Sequence, residues 1–353
     1  MDVPPFELER FFAEYEHEAD IMLAESGIRS LAADRFDLDP GRLGYVIPTN
    51  GDPELRARIG ERYGRSRDEV LLTVGTQEAN YTLYRSLLNR DDHAVVVTPT
   101  YQALHTVSET IASVTRVDLE PPDWTLDVDA VADAVRPETT LIVFNNPNNP
   151  TGRYHDPETV TALYDIAADN DAFLHADEVY RLLDPDPNPP VASLGPHGIS
   201  TAGLTKAYGL AGLRFGWLAG PEHVVEAAWE WKDYTTISPS KIGQHVAKQA
   251  LGEQEAGILS ENQTLAKRNR EIVRSFLEEQ GLSWYDPVGV NGFVEVPPGF
   301  AGSESFCRAF VEEQSVVLAP GAAFGFDEYF RIGFGLPTTE LKDGLSRLRS
   351  FLN

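Results

Sequence analysis

Gly203-Leu204-Thr205-Lys206-Ala207-Tyr208-Gly209-Leu210-Ala211-Gly212-Leu213-Arg214-Phe215-Gly216-Trp217 holds the first lysine of the chain in a glycine-rich loop, directly after the apolar strand candidate Gly198 to Ala202. A lone lysine usually lays its stem on the surface and keeps its ammonium in water. Apolar neighbours on both sides and an arginine eight residues on argue against that reading for Lys206. A lysine held in such surroundings serves as an amine nucleophile toward a carbonyl carbon. Arg214, between Gly212 and Gly216, offers an anion a bidentate fork.

The pattern spreads outward from this loop. From about residue 45 to residue 220 short apolar runs alternate with helical stretches, which predicts an α/β sheet of parallel strands. The strand candidates are Val70 to Val74, Ala94 to Thr98, Leu141 to Phe144, Ala172 to Ala176 and Gly198 to Ala202. Such strands deliver functional groups beyond their carboxyl ends. Residues 6 to 20 place Leu8, Phe11, Phe12 and Tyr15 at helical spacing among acids. A helical pattern over about 242 to 280 closes at Gly281. A smaller α/β region follows, with strands at Gly292 to Val296, Val316 to Leu318 and Phe330 to Phe334 and a last helix from about 338. Asp184 to Pro190 reads as a surface loop.

The 353 residues suggest about two domains. A net charge of −26 disfavours a nucleic-acid partner, because phosphate backbones repel an acidic surface. Six lysines against 23 arginines, on so acidic a chain, suggest a halophilic protein whose self-repulsion is screened by salt. No apolar run is long enough to span a membrane. The start, Met1-Asp2-Val3-Pro4-Pro5, lacks the basic and apolar regions of a leader. Cys307 is the only cysteine, so the expectation is a cytoplasmic enzyme without disulfides.

Three further segments carry candidate chemistry. Leu72-Thr73-Val74-Gly75-Thr76-Gln77-Glu78-Ala79 runs a strand into a helix, and the N–H groups of Gly75, Thr76 and Gln77 with the Thr76 hydroxyl suit a phosphate. Taken alone, glycine and threonine there are more often a turn and a cap. In Phe144-Asn145-Asn146-Pro147-Asn148-Asn149-Pro150-Thr151-Gly152, two Asn-Pro steps stiffen a loop that could aim an amide. Turn chemistry alone also favours these residue types. The strand ending at Ala176 delivers Asp177, followed by Tyr180; the acid either caps the next segment or pairs with a buried cation. Together these residues meet the needs of pyridoxal phosphate: an amine for its aldehyde, a carboxylate for its ring nitrogen, donors for its phenolic oxygen, a flat side chain on its ring and an anion site. There is no G-x-G-x-x-G, Walker loop or H-E-x-x-H metal motif, and Gly198 to Gly203 misses G-x-S-x-G by one residue.

From about Leu43 to its end the chain resembles a class I/II aminotransferase of the fold-type-I pyridoxal-phosphate enzymes. The resemblance implies an α/β fold with a large domain over 45–255, its mixed, mostly parallel sheet sandwiched by helices. A smaller α/β domain would be built from 1–44 and 256–353. Lys206 matches the Schiff-base lysine and Asp177 the carboxylate at the pyridine nitrogen. Asn149 and Tyr180 match the donors to the phenolic oxygen, and Tyr101 the ring-stacking aromatic. Gly75, Thr76, Gln77 and Arg214 match the phosphate cup, and Arg331 the grip on the substrate α-carboxylate. Tyr45 matches a tyrosine that reaches the partner subunit's cofactor, which implies a homodimer. One departure stands out: Gly203 occupies the place of a phosphate-binding serine, a loss of about 1 to 3 kcal/mol unless Thr201 or Thr205 substitutes. The stretch Ala24 to Ser30 somewhat resembles the capreomycidine-synthase-like branch.

These matches imply ping-pong transfer of an amino group between an L-amino acid and a 2-oxo acid, with Lys206 as general base and Arg331 and Asn149 holding the carboxylate. A lyase, cyclase or decarboxylase would use the same residues. A non-catalytic effector-binding protein on the same scaffold is the third reading.

Overall fold

The computed structural model describes residues 3–353; Met1 and Asp2, which open the expected first segment, lie outside the described residues. Seven strands form the principal sheet: β1 (Val70–Thr73), β2 (His93–Thr98), β3 (Ser113–Asp118), β4 (Thr139–Asn145), β5 (Phe173–Asp177), β6 (Gly198–Gly203) and β7 (Gly216–Ala219), in the order β1-β7-β6-β5-β4-β2-β3. Only β7 runs against the others. β1, β2, β6 and β7 are buried along their whole length, as expected of strands covered on both faces by helices. Two apolar clusters result, one on each side, the smaller around Leu71, Leu83, Val96, Val143 and Leu218.

All five strands expected in this region form, each within a residue or two of its expected limits. β3 and β7 were not foreseen. β3 is an edge strand, largely exposed, with Arg116 and Asp118 in it, and so lacks an apolar signature. β7 has only four residues and was read as the tail of the lysine loop.

Downstream, β8 (Asn291–Glu295), β9 (Ala319–Pro320) and β10 (Tyr329–Gly333) form an antiparallel sheet ordered β9-β10-β8. Ile21–Met22 pairs in parallel with Val316–Val317, which ties the N-terminal segment to this region. The helical pattern over 242–280 is two helices, Lys241–Ala250 and Glu255–Gln280, the second closing at Gly281 with φ +67°. The N-terminal helix stops at Tyr15, short of the expected residue 20.

Register places the chemistry. Asn145 stands opposite Asp177, Asp177 opposite Thr201, and Gly203 opposite Gly216, so adjacent strands end together beneath the crevice.

Candidate active site

A cavity of about 360 Å³ opens over these strand ends, lined by Thr76, Gln77, Tyr101, Asn149, Asp177, Tyr180, Lys206, Arg214 and Arg331. Nine of the eleven residues expected at the site thus meet there. Gly75 and Tyr45 do not line it; Gly75 adjoins Thr76 and Tyr45 is 73% exposed.

The phosphate loop rests on glycine. A Cβ on Gly216 would stand 2.5 Å from the Thr76 nitrogen, and one on Gly203 would stand 2.7 Å from both Thr76 Oγ1 and the Phe215 carbonyl. Gly75 has φ +80° and caps the helix Thr76–Leu87; a Cβ there would lie 2.5 Å from an Arg214 guanidinium nitrogen. Close approach explains Gly203 and Gly216, and at Gly75 the left-handed backbone requires glycine as well. Thr76 Oγ1 is buried without a hydrogen-bond partner among the described residues. An orphaned hydroxyl, helix N-terminal amides and a guanidinium around one concavity fit a phosphate group.

The missing serine at Gly203 finds its physical reason here, since Thr76 fills the space a side chain would need. Thr201 does not substitute: its hydroxyl donates to Asn80 Oδ1 at 2.6 Å and contacts His175 Nε2 at 2.9 Å. Thr205 remains at the cavity wall. Gly203→Ser is expected to weaken pyridoxal phosphate binding about 10- to 100-fold through overpacking, read by titrating cofactor-free protein. Tighter binding would contradict the packing argument.

The asparagine loop is fixed by its own amides. Asn145 Nδ2 donates to the Asp177 carbonyl at 2.8 Å, and Asn145 Oδ1 accepts the Asn149 N–H at 2.6 Å. Asn148 Nδ2 donates to the Pro99 carbonyl at 2.9 Å, and Asn146 Oδ1 accepts the His155 N–H at 2.9 Å. These bonds leave Asn149 as the amide aimed into the cavity. Its Oδ1 accepts from Arg331 at 2.9 Å. Arginine has no acceptor, so this contact fixes the flip and turns Nδ2 toward the cavity as a donor.

Arg331, in β10, is 1% exposed, not the surface charge a strand edge would allow. It also donates to the Ala24 carbonyl at 2.7 Å and lies 5.2 Å over the Phe324 ring. Nε has no partner. Burial depresses the ionisation range of this guanidinium, and an incoming carboxylate would relieve that cost.

Asp177 ends β5, with burial raising its carboxyl to about 6 while Asn80, the Val179 N–H and Lys206 pull the other way. Asn80 Nδ2 donates to Asp177 Oδ2 at 3.0 Å. Behind it lies a directed chain of donors. Because Thr201 gives its proton to Asn80, His175 Nε2–H must donate to Thr201, and Nδ1 accepts from Tyr84 OH at 3.1 Å. Burial lowers His175 to about 3, so the ring is neutral, as this tautomer requires.

Lys206 Nζ donates to Ser26 Oγ at 2.9 Å and lies 3.7 Å from Glu25. Tyr101 hydrogen-bonds Glu9 at 3.4 Å and packs on Phe6 with ring centroids 5.0 Å apart. Asn80 and Glu9 carry no signal singled out in the sequence, and Glu25 and Ser26 stand there only as part of the stretch Ala24 to Ser30. Asn80 was findable, since it lies four residues after Thr76 and shares its helix face. Glu9 belongs to no motif.

The family described as "Aminotransferase class I and II" matches residues 18–348. Capreomycidine synthase of Streptomyces vinaceus is 30% identical, the match covering 98% of this chain and 93% of that protein. Aspartate/prephenate aminotransferase of Thermus thermophilus is 27% identical over 91% of this chain and 86% of its own. A crystal structure of a PLP-dependent aminotransferase from Streptococcus suis superposes with a TM-score of 0.94 at 30% identity, covering 100% of this chain and 98% of the other.

Proposed function

The chain belongs to the class I and II aminotransferases, whose cofactor is pyridoxal 5′-phosphate, and from that premise we propose that it moves an amino group between an L-amino acid and a 2-oxo acid with Lys206 as its central residue. The observation that carries this reading is the convergence of Lys206, Asp177 and Arg331 on one cavity.

The amides of Gly75 to Gln77, the Thr76 hydroxyl and Arg214 would hold the cofactor phosphate. Asp177 would face the pyridine nitrogen, Asn149 and Tyr180 the phenolic oxygen, and Tyr101 the ring. When bound, pyridoxal phosphate supplies an aldehyde carbon for amines and a ring that takes up the electron pair left by a departing α-proton. Arg331 and Asn149 orient the substrate by its carboxylate. Lys206 Nζ would serve as the base that takes the substrate α-proton and as the acid that gives it back. Asp177 would favour a protonated pyridine nitrogen, because a carboxylate desolvated to this degree is stabilised by a cation beside it.

Incubation of the holoenzyme with an amino-acid donor and no acceptor tests the reaction class. One equivalent each of 2-oxo acid and pyridoxamine phosphate is expected. Catalytic release of ammonia or carbon dioxide, or a cyclic product, would move the assignment to a lyase, decarboxylase or cyclase, a reading favoured by the similarity to capreomycidine synthase.

The division into a large domain over 45–255 and a smaller one over 1–44 and 256–353 belongs to the same proposal, as does a cytoplasmic homodimer. Leu43, Tyr45 and Ile47, alternate residues 73%, 73% and 79% exposed, support a partner covering that stretch and receiving Tyr45. The charge of −26 supports adaptation to salt. Thermal unfolding is expected to shift upward by roughly 10 °C or more between low and molar salt, as screening relieves self-repulsion. A midpoint indifferent to salt would refute that adaptation.

A further inference from the structure

Four carboxylates and three cations line the cavity: Glu9, Glu16, Glu25 and Asp177 against Lys206, Arg214 and Arg331. The functional reading commits all three cations and one of the acids: Lys206 to the aldehyde, Arg214 to the phosphate, Arg331 to the substrate carboxylate and Asp177 to the ring nitrogen. Glu9, Glu16 and Glu25 are left over, and all three lie on the N-terminal segment.

Their placement relative to the carboxylate grip decides what they can do. Arg331 donates to the carbonyl of Ala24, so Glu25 is the residue next to the anchor. Glu25 Oε1 accepts the Gly27 N–H at 2.9 Å, which turns the carboxylate toward Lys206, 3.7 Å away. Glu9 is held by Tyr101 OH. Glu16 follows the helix Glu7–Tyr15, and the nearest basic group in contact with it is the exposed His17 at 3.8 Å. Between the acids, Leu8, Phe12 and Met22 give the same wall an apolar surface. The wall is docked: the Glu7 N–H donates to Gln102 Oε1 and Gln102 Nε2 donates to the Pro5 carbonyl, both at 2.9 Å.

Glu14, another acid of this helix, pairs with Arg308 outside the cavity. The three that line the cavity make no salt bridge to an arginine among the described residues; Glu25 faces Lys206 and feels Arg331, both committed to other roles. A dicarboxylic substrate would meet like charge on this wall, an apolar side chain would draw nothing from its part-exposed acids, and a cationic one would be attracted to them.

We propose that the substrate is an L-amino acid whose side chain is an aliphatic stem ending in an ammonium or guanidinium group, with the stem on Leu8, Phe12 and Met22 and the cation among Glu9, Glu16 and Glu25. This rests on the aminotransferase reading and adds to it the substrate class.

The test is titration of the full-length holoenzyme with L-ornithine, L-lysine, L-arginine, L-norleucine, L-phenylalanine and L-aspartate, following the cofactor absorbance. It is run at the lowest salt at which the protein stays folded, because salt screens this recognition. At least one basic amino acid is expected to reach half-saturation at a concentration about tenfold or more below that of norleucine. Glu16→Gln and Glu25→Gln, each checked for fold and cofactor content, are expected to shrink that ratio about threefold or more. Norleucine, phenylalanine or aspartate saturating below all three basic amino acids would overturn the proposal, as would a ratio unchanged in both variants. A spectrum that no amino acid alters would instead bring down the aminotransferase reading on which it rests.

Discussion

Lys206→Ala is expected to fold and to retain pyridoxal phosphate through the remaining contacts, yet to transfer amino groups at least about 10⁴-fold more slowly than the wild type, the upper end for loss of a positioned acid–base group. The side chain is partly exposed, and its polar contacts are Ser26 and Glu25, so truncation strands no charge and leaves only the Ser26 hydroxyl, on the cavity wall, without its donor. The loss therefore falls on chemistry. Arg331, Asn149 and the phosphate cup stay intact, and amino acids should still bind. Stopped-flow absorbance after mixing with a donor reads the rate. Transfer at the wild-type rate would sink the assignment of Lys206 as base.

Asp177→Asn is expected to cost about 10²- to 10⁴-fold in turnover, because a neutral amide cannot hold a proton on the pyridine nitrogen and the ring then takes up electrons poorly. A second signature is independent of activity. Burial raises Asp177 from 3.8 to about 6, so over that window the folded, cofactor-free chain binds more protons than the unfolded one. Its stability then falls as pH rises from about 4 to about 6. The full shift is worth about 3 kcal/mol. Glu178, raised to about 7 by burial against the pull of Arg181, acts in the same sense, and so the comparison with Asp177→Asn isolates the Asp177 part. Urea unfolding of both cofactor-free proteins across pH 4 to 7 is expected to show a shallower decline in the variant. Parallel curves would contradict the burial-driven shift.

How far the sequence revealed the molecule depended on local signals. Strands buried on both faces, such as His93–Thr98, are continuous apolar runs and were legible. Ser113–Asp118 was not, because an edge strand with only Val117 buried carries charge. The helix Lys241–Ala250 merged with its successor, since the turn at Leu251–Gln254 keeps the apolar period without a proline. At the site, Lys206, Asp177 and Asn149 stood in loops or at strand ends whose composition announced them, whereas Arg331, inside β10, was pointed out only by the family resemblance. The acidic wall did not, because Glu9, Glu16 and Glu25 gain meaning only when the N-terminal segment folds against Tyr101 and Arg331. Nor could the sequence say why Gly203 is not serine. That answer is a distance between Thr76 and a Cβ that is not there.

Asp177, Arg331 and the phosphate cup derive their proposed roles from one anchor, and the most direct measurement addresses it. Borohydride reduction of the purified holoenzyme, then peptide mass mapping, is expected to place a pyridoxyl group on Lys206 at about one per chain. Label on another residue, or none while the cofactor is bound, would contradict the account.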